Sequence, residues 1–394
     1  MKIVLAPDSF KGSLSATAVV EALAEGIRES APGAAITAQP LSDGGEGTLD
    51  VLAHHGFEIH TLTVPGSWGQ PVVARFASRD GVAVIESAQA FGFVPGATAI
   101  QALEASSAGV GHLILEALAS GPTEILLTVG GTSGTDGGFG MLRVLGAEGL
   151  DNQGNEVSEG GGALLTLASV DLSGLDPRLA KTRLRVLTDV TNPLLGPSGA
   201  AAVFAPQKGA DSEVIALLDA GLAHLAALLG QEVAERPGTG AGGGLAFAAM
   251  AALGASQQSG AMAMMEITGV GTEMKDADLV VTGEGSFDAQ SLGGKITGVG
   301  DELEGADLVV TGEGSFDAQS LGGKIPGVMI EHARSQNIPV VVVCGVSQVA
   351  EPIAGVTVIE ISAGAPSIQE SIDNPVAYLR SAGRTVGRMI TEGL

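Results

Sequence analysis

The chain is 394 residues long, 45% hydrophobic but only 3% aromatic, with a formal net charge of −25. That length fits about two or three domains with cores of Val, Leu, Ile and Ala. With 19 Lys and Arg against 44 Asp and Glu and no basic cluster, the balance argues against nucleic acid and anionic membranes as partners; an anionic substrate must be held locally by a few cations, amides or a metal.

The opening "MKIVLAPDSFKGS" breaks its apolar run at Asp8 and Lys11, too early for a signal peptide. No segment approaches about 18 unbroken apolar residues, so a soluble, cytoplasmic protein is expected. "KIVLA" reads as a buried strand, "PDSFKGSLS" as a loop and "ATAVVEALAEGIRE" as a helix. The strand "AAITAQPL" follows, then "SDGGEGT" and a helix through "LDVLAHHG". Alternating strands and helices predict a parallel sheet covered on both faces. The texture then changes. "HTLTVPGSWGQPVVARFASRDGVAVIESAQ" alternates with period two, and "RDG" reads as a hairpin turn. A boundary is therefore expected near Val64–Gln70.

Next come a helix at "AGVGHLILEALAS", strands at "EILLTVGG" and "LRVLTDV", and a long helix at "SEVIALLDAGLAHLAALLG". Past about residue 265 the α/β texture returns with "DLVVTGEG" and "IPVVVVCG". The single cysteine, Cys344, reads as a small buried strand residue. The C-terminal stretch is helical, with a break expected at Asn374–Pro375. The layout expected is an α/β domain from residues 1–66 and 265–394, with a mixed α/β domain, 67–264, inserted into it and a ligand cleft between them.

One feature stands apart. Ile267–Lys295 and Ile296–Lys324 align without gaps over 29 residues, 25 of them identical. Two near-perfect copies read as one structural unit duplicated in tandem, not as a solenoid.

Four polar, glycine-rich segments follow strands, where open α/β sheets bind ligands. "PDSFKGS" offers Asp8, Ser9, Lys11 and Ser13; its plain alternative is a helix start capped by Ser13 or Ser15. "LSDGGEGT" offers Asp43 and Glu46 on a loop suited to Mg²⁺ or polyol hydroxyls, or simply to a helix dipole. "GGTSGTDGGFG" offers converging amides and the hydroxyls of Thr132, Ser133 and Thr135, with Asp136 as a metal candidate. "TDVTNPLLGPSGAAAVFAPQKGA" offers Asp189 at a strand end, then Asn192, Ser198, Gln207 and Lys208.

Other signals fail. "GGK" lacks the first glycine of a Walker A loop, and "GTGAGG" at 238–243 follows no strand. The six histidines show no metal-ligand spacing, and no G-x-S-x-G elbow occurs. Phosphoryl transfer by charge and positioning fits the inventory.

"MKIVLAPDSFKGSLSA", "LSDGGEGT", "GGTSGTDGGFGML", "DVTNPLLGPSGAAAVFAPQKGA" and "ADLVVTGEGSFDAQSLGGK" occur in this order. With these motifs the chain resembles the class I glycerate kinases over essentially its whole length. The resemblance implies phosphorylation of D-glycerate by ATP with Mg²⁺, typically at the 2-hydroxyl, and a flavodoxin-like domain built from both chain ends. Its partners would be glycerate and a nucleotide, and a homodimer is compatible with it. Carried onto this sequence, the motif residues are Asp8, Ser9, Lys11 and Gly12, then Asp43, Gly44, Gly45 and Glu46. Thr132, Ser133, Thr135 and Asp136 follow, then Asp189, Asn192, Gln207 and Lys208. Asp189 is expected to accept the substrate hydroxyl proton. Lys11 and Lys324 are expected to meet carboxylate or phosphate, and Asp43 and Asp136 to hold Mg²⁺.

The last motif occurs twice here and once in the family pattern. Only the second copy continues into a good crossover helix and strand, so Glu313, Asp317 and Lys324 are expected at the site, rather than Glu284, Asp288 and Lys295. The first copy is expected to be extruded or added at a sheet edge. Two alternatives stay open: a kinase of another small hydroxy acid, and a binding protein inactivated by the duplication.

Overall fold

The computed structural model describes residues 1–9, 14–42, 44–45, 47–275, 277–283, 308–316, 340–347 and 352–392. By backbone contacts the chain divides into two compact units. Unit 1 is Met1–Asp43, Asp50–His55 and Ser259–Leu394; unit 2 is Gly44–Leu49 and Gly56–Gln258.

In unit 1 the described residues form a six-stranded sheet. Its strands are β1 (Lys2–Pro7), β2 (Ala35–Ala38), β11 (Leu279–Gly283), β12 (Leu308–Phe316), β13 (Val340–Ser347) and β14 (Val356–Glu360). Their order is β14-β13-β12-β11-β1-β2, and every neighbouring pair is parallel. This is the flavodoxin-like order with one strand added. Ile3, Val4, Leu5 and Ala6 of β1 are fully buried, as a parallel strand covered on both faces requires. Cys344 of β13 is buried as expected.

Helix α1 (Ala16–Ser30) starts at Ser15, whose hydroxyl accepts the Ala18 N–H at 3.3 Å. It buries Val19, Val20, Leu23 and Ile27 together with Leu379, Ala382 and Val386 of helix Pro375–Glu392. The two helices cross closely enough that a Cβ on Gly26 would overlap the Arg380 carbonyl. Glu29 clamps the crossing by pairing with Arg380 and Arg384.

The duplicated unit is neither extruded nor at an edge, contrary to expectation. The first copy supplies β11, which pairs with β1; the second supplies β12, which pairs with β11. The copies meet like residue to like residue: Leu279 opposite Leu308, Val280 opposite Val309, Val281 opposite Val310. Val4 lies opposite Val280, and Val309 opposite Val340. One copy would therefore close the sheet between β1 and β13 in the same register as two.

Unit 2 holds β3 (Glu58–Pro65), β4 (Pro71–Arg79), β5 (Val82–Glu86), β6 (Glu124–Thr128), β9 (Arg183–Leu187) and β10 (Ser256–Gln258). They form a second sheet in the order β10-β9-β6-β5-β4-β3. β3, β4 and β5 run antiparallel, while β5, β6, β9 and β10 run parallel. The "RDG" turn is present, with φ of 50° at Asp80 and 80° at Gly81. β7 (Glu148–Asp151) and β8 (Leu167–Asp171) make a separate antiparallel pair. The first boundary falls earlier than the Val64–Gln70 expected. β3 is the hairpin partner of β4, paired from Glu58–Ser78 to Pro65–Pro71, so it belongs to the inserted unit. Helix Ser212–Leu229 is long and apolar enough to cross a membrane by length and composition. Here its Leu218, Leu222 and Leu225 are buried beside Phe139 and Phe247.

Candidate functional site

Three parallel strands of unit 2 end side by side, with Glu86 of β5 opposite Thr128 of β6, and Thr128 opposite Leu187 of β9. What leaves these tips is polar. β6 runs into the glycine loop 130–138 and β9 into Thr188 and Asp189. The loop bends through positive φ at Gly131, Gly137 and Gly138, a geometry that side chains with a Cβ resist.

Two buried charges hold this loop from within. Asp136 is 1% exposed. Its Oδ2 accepts the Ser107 N–H at 2.8 Å, the Ser107 hydroxyl at 2.7 Å and the Gly140 N–H at 3.2 Å. Its Oδ1 accepts the Gly138 N–H at 3.0 Å. Burial raises the Asp136 carboxyl above its ordinary range, and these donors pull it part of the way back. Lys208 donates from Nζ to the Gly134 carbonyl at 2.6 Å and to Thr132 Oγ1 at 3.2 Å. Its burial brings the ammonium down to about 7, with the Asp136 charge opposing the fall. Ser133 shares a hydrogen bond with Ser67 at 2.6 Å and donates its N–H to the Phe91 carbonyl. Thr135 Oγ1 is buried and has no partner among the described residues.

Thr132, Ser133, Thr135, Asp136 and Lys208 are thus brought together, but as the loop's internal frame. Asp136 does not fit the magnesium role expected of it. Both its oxygens already face N–H and O–H donors, whose positive ends would repel a cation. Among the described residues no group of three or more His, Cys, Asp or Glu converges. The N–H groups of Ser133, Gly137 and Gly138 are spent within this frame, on the Phe91 carbonyl, the Gly243 carbonyl and Asp136; small-residue turns of this kind meet anions through the amides that remain.

Asp189 lies two residues beyond β9 and is half-buried. Asn192 is spent on its own loop, donating to the Ser198 carbonyl at 2.8 Å. Gln207 is exposed on the short turn Pro206–Lys208. Gly44 and Gly45 belong to unit 2, and a Cβ on Gly130 would reach to 3.9 Å from the Gly45 Cα. Sequence reasoning missed Glu86, which is 2% exposed at the tip of β5. The available signal was a lone carboxylate ending the apolar strand "VAVI".

In unit 1, Asp8 follows β1 and its Oδ1 accepts the Ser9 N–H at 2.5 Å. Lys11, Gly12, Asp43, Glu46, Asp317 and Lys324 lie outside the described residues, as do Glu284, Asp288 and Lys295. The strands that carry the two copies are described. Pro7 at the tip of β1 lies opposite Gly283 of the first copy. Glu313 of the second copy is one strand further out, opposite Cys344. The neighbour of β1 is therefore the first copy, not the second.

The model of the Glycerate kinase family matches residues 3–300 and again 296–391. The second match begins at the first residue of the second copy. The chain is 46% identical to glycerate 2-kinase of Escherichia coli (strain K12) over 305 residues, covering 75% of this chain and 80% of that protein. It is 44% identical to glycerate kinase of Bacillus subtilis (strain 168) over 305 residues, with 75% and 79% covered. A crystal structure from Salmonella typhimurium LT2, of a chain assigned as glycerate kinase 2, superposes with a TM-score of 0.78 at 34% identity, covering 100% of this chain and 99% of that one. The chain is a kinase and belongs to the glycerate kinase family.

Proposed function

We propose that this protein transfers the γ-phosphoryl group of ATP to the 2-hydroxyl of D-glycerate. The observation that carries the reading is the pair of neighbouring strand tips, β6 and β9. One releases a glycine loop framed from inside by Asp136 and Lys208. The other releases the half-buried carboxylate of Asp189. The loop amides take an anionic group, either the glycerate carboxylate or a phosphate. Asp189 takes the hydroxyl proton. The freed oxygen then bonds to the γ-phosphorus as the bond to the β,γ-bridging oxygen breaks, and ADP leaves with that electron pair. The similarity to the Escherichia coli glycerate 2-kinase supports the position of transfer.

In unit 1 the pairing of Pro7 with Gly283 favours Glu284, Asp288 and Lys295 over their second-copy equivalents as companions of the β1 loop. The reading places the enzyme in the cytoplasm, with glycerate and nucleotide as its partners.

An ADP-release assay over a panel of small hydroxy acids tests this, with the phosphorylated carbon identified by phosphorus NMR. Turnover with D-glycerate giving 2-phosphoglycerate supports it. Turnover only with another hydroxy acid moves the substrate. Nucleotide binding without any turnover would mean that the duplication has silenced the enzyme.

A further inference from the structure

Glu86 ends β5 with a carboxylate almost removed from water. Burying such a group is costly unless donors or opposite charges meet it. One donor is the Leu49 amide, 3.4 Å from Oε2, in the first turn of α2 (Thr48–His54). The stretch that begins this helix has an unusual allegiance. Gly44–Leu49 belongs to unit 2, although the chain on both sides of it, up to Asp43 and from Asp50 to His55, belongs to unit 1.

Within the stretch, Thr48 closes a tight turn, its hydroxyl donating to the Gly45 carbonyl at 2.7 Å. Gly45 lies in reach of Gly130, the first glycine of the loop that leaves β6. Glu86 joins the same place from the neighbouring strand. The two hydroxyls nearest it in chain and register, Ser87 Oγ and Thr128 Oγ1, are buried and have no partner among the described residues. Satisfying those hydroxyls is therefore not what keeps the carboxylate there.

We propose that Glu86 is a positioning residue: its carboxylate holds the helix start at Thr48 and Leu49, and with it the turn from Gly45, beside the glycine loop of unit 2. This rests on reading that stretch as part of the glycerate-phosphorylating site. Glu86 acts through the stretch and not on the reacting atoms.

The test compares E86A, E86Q and E86D by amide hydrogen exchange, thermal unfolding and steady-state kinetics with glycerate and ATP. E86A should speed exchange across residues 44–50 by about tenfold or more. It should lower kcat on the order of 10- to 100-fold, as expected for misplacement of a site by about 1 Å. E86Q keeps an acceptor of the same reach and should restore both, whereas E86D, one methylene shorter, should not. If E86A fails to fold, E86Q against E86D decides the matter. Unchanged exchange at 44–50 in E86A or E86D overturns the proposal. So does equal loss of kcat in E86Q and E86D with the stretch still protected, because the carboxylate would then be acting on the ligand itself. Should the wild-type protein not turn over glycerate, the exchange measurements still decide what Glu86 holds, separately from the functional reading.

Discussion

Cutting out one copy of the tandem unit should leave a folded protein, and it should matter little which copy goes. Removing 267–295 brings β12 beside β1; removing 296–324 brings β11 beside β13. The registers agree in either case, because Val4 meets Val280, Val280 meets Val309 and Val309 meets Val340. The contacts at the strand's start are preserved as well. Lys2 donates its backbone N–H to Asp278 at 2.6 Å and pairs through Nζ with Glu273 at 3.0 Å, and the second copy has Asp307 and Glu302 at those positions. The two products would differ at only four residues: Thr272, Met274, Lys275 and Asp276 against Asp301, Leu303, Glu304 and Gly305. Thr272 is exposed; at about 0.5 kcal/mol for each substitution that touches no core, the two products should agree in stability to about 2 kcal/mol. Urea unfolding measures this, and the ADP-release assay should give both the same kcat within about threefold. Each product also brings the tips of β1 and β13 closer by one strand spacing, about 4.8 Å. One product unfolding cooperatively while the other does not would refute the claim that the copies are structurally interchangeable.

Three further substitutions probe the site. Asp189→Asn should lower kcat by about 10²- to 10⁴-fold with little change in KM, the signature of a lost general base; near-normal turnover would remove that role. Asp136→Asn should cost about 1–3 kcal/mol in urea unfolding, since it weakens four bonds to a buried charge. The residual activity should keep its magnesium dependence, which a lost metal ligand would shift. Lys208 titrates at about 7 when folded against an ordinary 10.5, so the folded state binds fewer protons between those values. Its contribution to stability therefore rises with pH across that window and is flat below it. Comparing unfolding of the wild type and Lys208→Met at pH 6.5, 8 and 9 should show this slope in the wild type alone.

Much of the frame was legible because it depends on local pattern. "IVLA" is an unbroken apolar run and is buried, and "RDG" supplies the positive φ its hairpin needs. The boundary was harder. "HTLTVP" alternates as an antiparallel strand does, but only its partner β4 shows which unit owns it. The fate of the repeat was not legible, because identical segments carry no information about which neighbour each will choose. The glycine loop is legible as a loop, yet the sequence offers Asp136 and Lys208 as ligand-facing groups, and the structure turns both inward. Residue type does not tell whether a charge points out of a turn or into it; the donors from Ser107, 29 residues earlier in the chain, decide that. Glu86 escaped for a related reason, its partner lying 37 residues away on a different element.

The crossing of α1 with helix Pro375–Glu392 bears on how the protein is made. A ribosome releases the first helix early and the last only at the end, and the Gly26 contact needs both. At roughly 5–20 residues per second the opening segment waits on the order of tens of seconds for its mate. Apart from Gly44–Leu49, the inserted unit runs without interruption from Gly56 to Gln258 and can mature during that interval. Nascent chains halted once Gln258 has cleared the ribosome should then resist protease from Gly56 to Gln258, while α1 is still cut.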